Sequence, residues 1–462
     1  SSLAHVLAIS GYHMAVVAGI AFFFIRGGLA LVPELASRKP IKKWAAIGAI
    51  ATGAFYLVLS GASVSTQRAF IMIAIVLVGV MMDRRALTFR TITIAALIVL
   101  MLAPQAIAHP SFQMSFGATL ALIASYNHGL PWRANADTPR ATRIALWGGN
   151  EIVALMFASL IAELATMPYA AYHFHRLAPY GVLANLLAMP VVSVWVMPMG
   201  ILGVLALPFG FDAVFWQLMG YGIDRMIAVV LWVAGLPGAV GRIQAFGTGP
   251  LLLATTALLL LLCLLRSPLR WSGAVLAVLA SLWAVLTPRF DVLVAADGGA
   301  AAIRGHDGHL AVLYNGRDSF AIKEWLAADG DGRTPKDASL QNGVACDAVG
   351  CIGHLKDGHL ESVALSVEAF VEDCTRAAVV VSAREAPGKC AATLIDRKIW
   401  RDNGAIGLRR AGDRFELSAA RPADYRRPWA RSSREPIGGA SVSKRPAVPD
   451  ATPKAEDLEA GD

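Results

Sequence analysis

Charge is scarce in this chain. Of its 462 residues only 16% are Asp, Glu, Lys or Arg, while 56% are hydrophobic. A soluble domain carries about 25% charged residues, so a wholly soluble fold is excluded and an integral membrane protein is indicated. The scarcity is uneven. Nearly all long apolar runs fall in residues 1–288, residues 289–425 have the composition of a soluble domain, and residues 426–462, rich in Pro, Ser, Gly and charge, read as a disordered tail. Cysteine is rare too. Of five, Cys263 lies in an apolar run, and Cys346, Cys351, Cys374 and Cys390 all fall in the soluble part. An even number there suits an oxidising compartment, although the pairing stays open. The chain also lacks an initiator methionine and a signal peptide: it starts at Ser1 and enters an apolar run at once, so a truncated N-terminus is expected.

What is abundant is apolar sequence of membrane length. A span needs about 20 mostly apolar residues. Ten spans are predicted, at 4–25, 43–60, 65–82, 90–104, 110–126, 147–170, 179–207, 213–236, 248–266 and 270–287. The 179–207 run holds Pro190 and Pro198 and is expected to be broken or re-entrant. Basic residues concentrate in alternate loops: Arg26, Arg38, Lys39, Lys42 and Lys43; then Arg84, Arg85 and Arg90; then Arg133, Arg140 and Arg143; then Arg266 and Arg270. By the positive-inside bias these loops are cytoplasmic, so Ser1 and the soluble domain face outward. The net charge of +8 has the same explanation, without excluding a nucleic acid or anionic lipid partner.

Several polar residues sit inside the apolar runs, where they are costly unless they face protein or water. With the predicted topology they share an outer depth: Ser10 and His13 in the first span, Ser65, Gln67 and Arg68 in the third, His109, Ser111, Gln113 and Ser115 in the fifth, Glu163 in the sixth and Asn185 in the seventh. Together they predict a wet, polar vestibule open to the outside. Blander readings stand beside this one. Ser65 and Ser111 can cap helices, Arg68 can snorkel to the headgroups, His13 can be a packing histidine, and His109, His173 and His175 can be interfacial. His173-x-His175 brings no further ligand close behind it, which argues against a zinc hydrolase site. Ser10 and His13 lie at i and i+3 on one helix face, but no acid that would orient the histidine is visible in the sequence.

These residues fall in a recurring order of motifs: His5-Val-Leu-Ala-Ile-Ser10-Gly11-Tyr-His13-Met, Ser60-Gly61-Ala-Ser-Val-Ser65-Thr-Gln-Arg68-Ala69, Pro110-Ser-Phe-Gln113-Met-Ser-Phe116, Ala165-Thr-Met-Pro168 and Tyr180-Gly-Val-Leu-Ala-Asn185-Leu-Leu-Ala-Met-Pro190. Over roughly residues 1–287 this resembles the competence domain of the ComEC-type DNA internalisation channels. The resemblance implies a polytopic channel in the bacterial cytoplasmic (inner) membrane that imports single-stranded DNA during natural transformation. It also implies an N-terminal OB-like domain, missing here, a periplasmic C-terminal domain similar to metallo-β-lactamases, and periplasmic DNA-receptor and cytoplasmic helicase-type partners. Homo-oligomerisation is left open.

The soluble part has the alternating α/β rhythm such a domain needs. Strands are predicted from Phe290, Ala301, Leu310, Ala378 and Ala392, and helices over 318–328 and 366–376. It lacks the His-x-His-x-Asp-His cluster that would hold two metals. His306-Asp-Gly-His309 reads as a hairpin turn, and His354 and His359 complete the domain's histidines. A degenerate domain without metal, cofactor or enzymatic activity is therefore expected. Its cysteines are expected to pair as Cys346 with Cys351 and Cys374 with Cys390, a zinc site of all four being the alternative.

The fold expected is thus a polytopic α-helical membrane protein followed by a small α/β domain. The single-stranded DNA path is expected to involve Ser10, His13, Arg68, Gln113, Glu163 and Asn185, with Gly11 and Gly61 allowing close helix packing. Glu163, awkward beside a polyanion, is expected to pair with Arg68 or a histidine. Phe112 and Phe116 can stack on bases, but core or lipid packing is the simpler reading. The rival function is a secondary transporter of a small anionic substrate, for which a broken seventh span and intramembrane His and Glu are suited.

Overall fold

A computed structural model describes residues 11–83, 88–128, 140–264, 267–314, 319–412 and 414–421. The chain divides into two compact units, one of residues 1–289 with 319–340 and one of residues 290–318 with 341–462. The disordered tail expected at 426–462 lies outside the described residues.

The first unit is helical. Its elements are α1 (Gly11–Ala30), the short α2 (Pro33–Arg38), α3 (Ile41–Leu59), α4 (Val64–Met81), α5 (Phe89–Leu102), α6 (Pro110–His128), α7 (Arg140–Phe174), α8 (Gly181–Pro190), α9 (Met197–Ala206), α10 (Asp212–Ala234), α11 (Thr248–Cys263) and α12 (Arg270–Val285). Every one of the ten predicted spans contains a helix. Among the described residues, five helical stretches are long and apolar enough to cross a membrane: His13–Ala30, Ile41–Leu59, Val153–Phe174, Gly181–Phe209 and Asp212–Ala234. The count of ten is not reached because α5, α11 and α12 have 14 or 16 residues. At 1.5 Å per residue these reach about 21–24 Å, short of a hydrocarbon core of about 30 Å. Ser65–Met81 is likewise short. α6 is long enough, but Ser111, Gln113, Ser115, Asn127 and His128 make it too polar to qualify.

Packing follows the small residues. Ala18, Ala46, Ala49 and Leu77 form one buried cluster joining α1, α3 and α4. Met14, fully buried, lies against Gly53, whose missing side chain also admits Phe70. Phe112 and Phe116 are core residues, buried with Ile92 and Val99 between α5 and α6, which is the simpler of their two expected roles. Ala184, Ala188 and Val192 pack on Met226 and Val233 of α10. Between α11 and α12 the backbones approach so closely that a Cβ on Gly273 would fall 2.7 Å from the Ala257 carbonyl oxygen.

The seventh predicted span is continuous, not broken or re-entrant, in the structure. α8 ends at Pro190, a π-helical stretch runs Val191–Val196, and α9 continues to Ala206. Pro190 has no N–H to give, and the wider π turn absorbs the mismatch without opening the chain.

Apart from the two-strand ladder of the first unit, β1 (Arg176–Leu177) with β2 (Gly241–Arg242), the strands belong to the second unit, a two-sheet sandwich. One sheet, of order β12-β11-β3-β4-β5, joins Arg414–Ala419, Ile406–Ala411, Val292–Val294, Ala301–Arg304 and Leu310–Tyr314. The other, β10-β9-β8-β7-β6, joins Thr393–Ile395, Val379–Val381, Leu360–Ala364, Gly350–His354 and Val344–Cys346, with β8, β9 and β10 parallel. Val292, Val294, Ile303 and Leu408 from one sheet meet Val363, Val379, Val381 and Ile395 from the other in one buried core. The helix Ala369–Arg376 covers the outer face through Phe370. The sulfurs of Cys346 and Cys351, on adjacent strands, are bonded, as are those of Cys374 and Cys390.

The turn predicted at His306–His309 is present. Gly308 has φ +76°, Gly305 N–H reaches His309 O at 3.0 Å, and the Asp307 carboxylate accepts the His309 N–H at 3.0 Å. The β7–β8 hairpin repeats the device with Asp357-Gly358-His359: Gly358 has φ +85° and the His359 N–H donates to Asp357 at 3.1 Å. Each glycine supplies the left-handed conformation that the turn requires.

The helix predicted at 318–328 forms as α13 (Ser319–Asp329) and, with the loop to Leu340, belongs to the first unit. The attachment is polar. Ala245 N–H donates to Ala328 O at 2.6 Å, Arg242 Nη1 donates to Asp331 O at 2.5 Å, and Arg289 pairs with Asp329 at 3.9 Å.

Candidate functional site

Arg68 lies on the first turns of α4, and what sets its position is the turn before it. α3 ends with Gly61 in the left-handed region (φ +75°), with Gly61 N–H on Val58 O and Ala62 N–H on Leu57 O, the paired bonds of a Schellman ending. Gln67 Nε2 donates to Ala62 O at 2.7 Å and locks that turn to the new helix. The cap of α4 is Ser63, whose hydroxyl accepts the Thr66 N–H and bonds the Thr66 hydroxyl at 2.7 Å, so Ser65 is not the cap. Arg68 then points inward. At 7% exposure it is buried in the bundle and does not reach out to the headgroups. His13 is half-buried on α1, which packs on α4. Ser10 lies outside the described residues.

Gly11 and Gly61 close no helix contact among the described residues. A Cβ on either would meet nothing within 4 Å among the described residues. Gly61 is required by its backbone conformation.

Gln113 sits four residues after His109 on α6. His109 Nδ1 accepts the Ser111 N–H at 3.3 Å, so His109, not Ser111, caps the helix start. Gln113 Nε2 donates to Ile107 O at 2.9 Å, which turns Gln113 Oε1 toward His173 Nε2, 2.9 Å away on α7. The amide orientation therefore makes His173 Nε2 the donor. His175 follows in the left-handed region (φ +53°), its N–H on Ala171 O, and closes α7. Residues 176–177 then pair with 241–242 as a short antiparallel ladder, β1 with β2, in which Arg176 stands directly opposite Arg242. His109 and His175 are both within electrostatic reach of His173, and Glu324 of α13 is within reach of His175.

Glu163 has a different partner from the Arg68 or histidine expected. Its carboxylate accepts the Val182 N–H in the first turn of α8. It fills the place where Gly181 lacks a side chain, and a Cβ there would overlap it. A carboxylate suits this position because the first turn of a helix has unpaired N–H groups. Asn185, one turn further on the same face as Gly181, has its side-chain oxygen buried without a hydrogen-bond partner among the described residues. The structure thus gathers Gln113 with the histidines and Glu163 with the start of α8, and sets His13 and Arg68 on the packed pair α1 and α4.

In the second unit the most unusual side chain is one not singled out from sequence. Glu361 on β8 is fully buried, and neither carboxylate oxygen has a hydrogen-bond partner among the described residues. It shares the inner face of its sheet with Val363. Burial pushes its carboxyl well above the ordinary value. The sequence signal is an acid beside Ser362 in a short strand that otherwise holds Leu360, Val363 and Ala364. Asp357 is held low in spite of partial burial by the His359 N–H, Arg410 and His359. No group of three His, Cys, Asp or Glu placed to hold a metal occurs among the described residues.

A family model described as Competence protein matches residues 1–268. ComE operon protein 3 of Bacillus subtilis (strain 168) is 26% identical over 243 residues, 52% of this chain and 27% of that protein. Uncharacterized protein YcaI of Escherichia coli (strain K12) is 29% identical over 233 residues, 50% of this chain and 29% of that protein. The aligned region thus spans less than a third of the length of either relative. No solved structure is a match.

Proposed function

Because the chain belongs to the Competence protein family, we propose that it works in DNA uptake during natural transformation, as a cytoplasmic-membrane channel that admits single-stranded DNA. The observation that carries this reading is the family match across residues 1–268. Every phosphate of the strand is charged, so the strand cannot cross lipid and needs a wet path with positive groups along it. Arg68, turned into the bundle at 7% exposure, supplies such a group. The path proposed runs past Ser10, His13, Arg68, Gln113, Glu163 and Asn185, within a topology of ten crossings. The short helices then cross where the bilayer thins around them or among neighbouring helices. The alternate basic loops support an outside position for the second unit, and its bonded cysteines suit an oxidising compartment. That unit is proposed as a metallo-β-lactamase-like domain without metal chemistry. A periplasmic DNA receptor and a cytoplasmic helicase-type motor are the proposed partners.

The π-helical stretch beside Pro190 favours a second reading as a secondary transporter of a small anion. The deciding experiment follows entry of a strand-specifically labelled DNA into cells that lack the protein, complemented by the wild-type chain, Arg68→Ala or His13→Ala. The channel reading requires loss of cytosolic label without the protein and its return with the wild type. Normal entry in the deletion strain overturns it, and saturable uptake of a small anion by the purified chain supports the rival.

A further inference from the structure

Three of the chain's ten histidines converge at one end of α6 and α7. His109 begins α6, His173 ends α7, and His175 follows in the turn, with both partners inside electrostatic range of His173. The next residue, Arg176, is directly opposite Arg242 in the β1–β2 ladder. Like charges directly opposite in an antiparallel pair are destabilising. The local cost is unexplained by the fold itself, because Arg242 alone has a structural use, its bond to Asp331 O. An anion lying across the ladder would turn that cost into a favourable interaction.

The geometry also leaves room for a second proton on the His173 imidazole. Ile107 O fixes the Gln113 amide, so Gln113 accepts from His173 Nε2 whether the ring is neutral or protonated, and the second proton goes to Nδ1. Burial holds the His175 imidazole below its ordinary value and Glu324 raises it. The groups facing the cluster are therefore His109 and Gln113 from α6, His173 and His175 from α7, Arg176 and Arg242 from the ladder, and Glu324 and Asp331 from α13 and the loop after it. Asp331 is committed to Arg333 at 2.6 Å, leaving Glu324 as the opposing acid within reach of His175 among the described residues.

We infer that His109, His173, His175, Arg176 and Arg242 form a rim that binds the phosphodiester backbone of single-stranded DNA, with a hold that tightens as the pH falls. The inference rests on the DNA-channel reading and names the rim where the strand is first engaged.

The test is fluorescence anisotropy of a labelled oligothymidylate of about 20 nucleotides, a length that spans one or more of the usual strand-binding sites, with the purified full chain, over a series of salt concentrations at pH 8 and pH 5.5. Each further phosphate that the protein neutralises on a single strand steepens the plot of log affinity against log salt by about 0.7, so the plot is expected to be steeper at pH 5.5 than at pH 8. The variant His109→Gln/His173→Gln/His175→Gln is expected to bind with one slope at both. Arg176→Gln is expected to lower the slope by about 0.7 at both pH values. If the triple variant does not fold, His175→Asn, which tolerates the left-handed backbone at that position, is expected to reduce the difference in slope between the two pH values. Replacing His306, His309, His354 and His359 together is expected to change nothing. A pH effect that survives the triple variant, or that is lost with those four, overturns the inference alone. Failure of the folded wild-type chain to bind the oligonucleotide at either pH overturns the inference and the channel reading together.

Discussion

Glu163 and Gly181 occupy adjoining space on successive helices: the carboxylate fills the volume that a Cβ on Gly181 would need. The same carboxylate accepts the N–H of Val182, so one acid both caps α8 and requires the glycine before it.

The two roles separate by mutation. Glu163→Gln keeps an acceptor oxygen for Val182 and should leave thermal stability in detergent close to wild type. Glu163→Ala removes the cap and should cost about 1–2 kcal/mol. Gly181→Ala forces the carboxylate aside and should be worse than either. The double variant Gly181→Ala/Glu163→Ala should recover part of that loss, since the clash disappears with the acid. Strictly additive losses across this cycle would show that the two residues do not share space.

Glu361 makes the second unit sensitive to alkali. Its carboxyl is raised well above 4.5 by burial alone, so in the folded unit it holds a proton that the unfolded chain releases. The stability is therefore fully present below about pH 4.5, where both states are protonated, and is lost as the pH rises toward the folded-state value. Glu361→Met removes both the ionisation and an unpaired polar group, whose burial costs about 1–3 kcal/mol. Pulse proteolysis of the full chain should find the variant's second unit more resistant than wild type at pH 8, by a margin that narrows in acid. A wild-type stability that rises between pH 5 and 8 would contradict this account.

Much of this architecture is legible in the sequence, and the misses share a cause. An arginine in an apolar run, as at Arg68, announces a buried polar position, and Asp-Gly-His between strands announces a turn. Backbone partners leave no such mark. The sequence suggests a positive side chain as the partner of Glu163, yet that partner is the Val182 N–H, a donor freed only because His175 ends α7 and a new helix begins at Gly181. Gly61 illustrates the converse: a glycine near a helix end reads as a packing residue, while its φ of +75° makes it a turn residue. The attachment of α13 is hidden for a related reason. Its bonds run to the main chain of Ala245 and to Arg242, which its own composition does not encode.

The cysteines give a counting prediction. With Cys346–Cys351 and Cys374–Cys390 bonded, Cys263 is the free thiol among the described residues. The denatured, unreduced chain should titrate one thiol with a chromogenic disulfide reagent, and five after reduction. Cys374 and Cys390 are separated by 16 residues, and by chain entropy a loop of that size is worth about 3 kcal/mol. Replacing both by Ala should lower the unfolding midpoint of the second unit accordingly. Three or more thiols before reduction would refute the pairing.

Gln244 should hold the first unit's polar attachment together. Its Nε2 donates to Val285 O at 2.8 Å and Thr287 O at 2.9 Å, the unpaired carbonyls where α12 ends. Its Oε1 accepts from Arg289 Nε at 2.6 Å, and Arg289 in turn pairs with Asp329 at the end of α13. A Cβ on Gly330 would lie 3.3 Å from the Gln244 backbone nitrogen, so the chain after α13 passes directly over this residue. Gln244→Leu keeps the bulk but loses every one of the side chain's bonds, leaving the α12 carbonyls to water and Arg289 without its anchor. The expected cost is about 1–3 kcal/mol, localised rather than global. Hydrogen exchange should accelerate in residues 284–289 and 319–333 while α1, α3 and α4 keep their protection. Unchanged exchange in 319–333 would mean that α13 is held by its apolar face alone, through Ile322 and Leu326, both 2% exposed, with the polar chain from Gln244 through Arg289 contributing nothing.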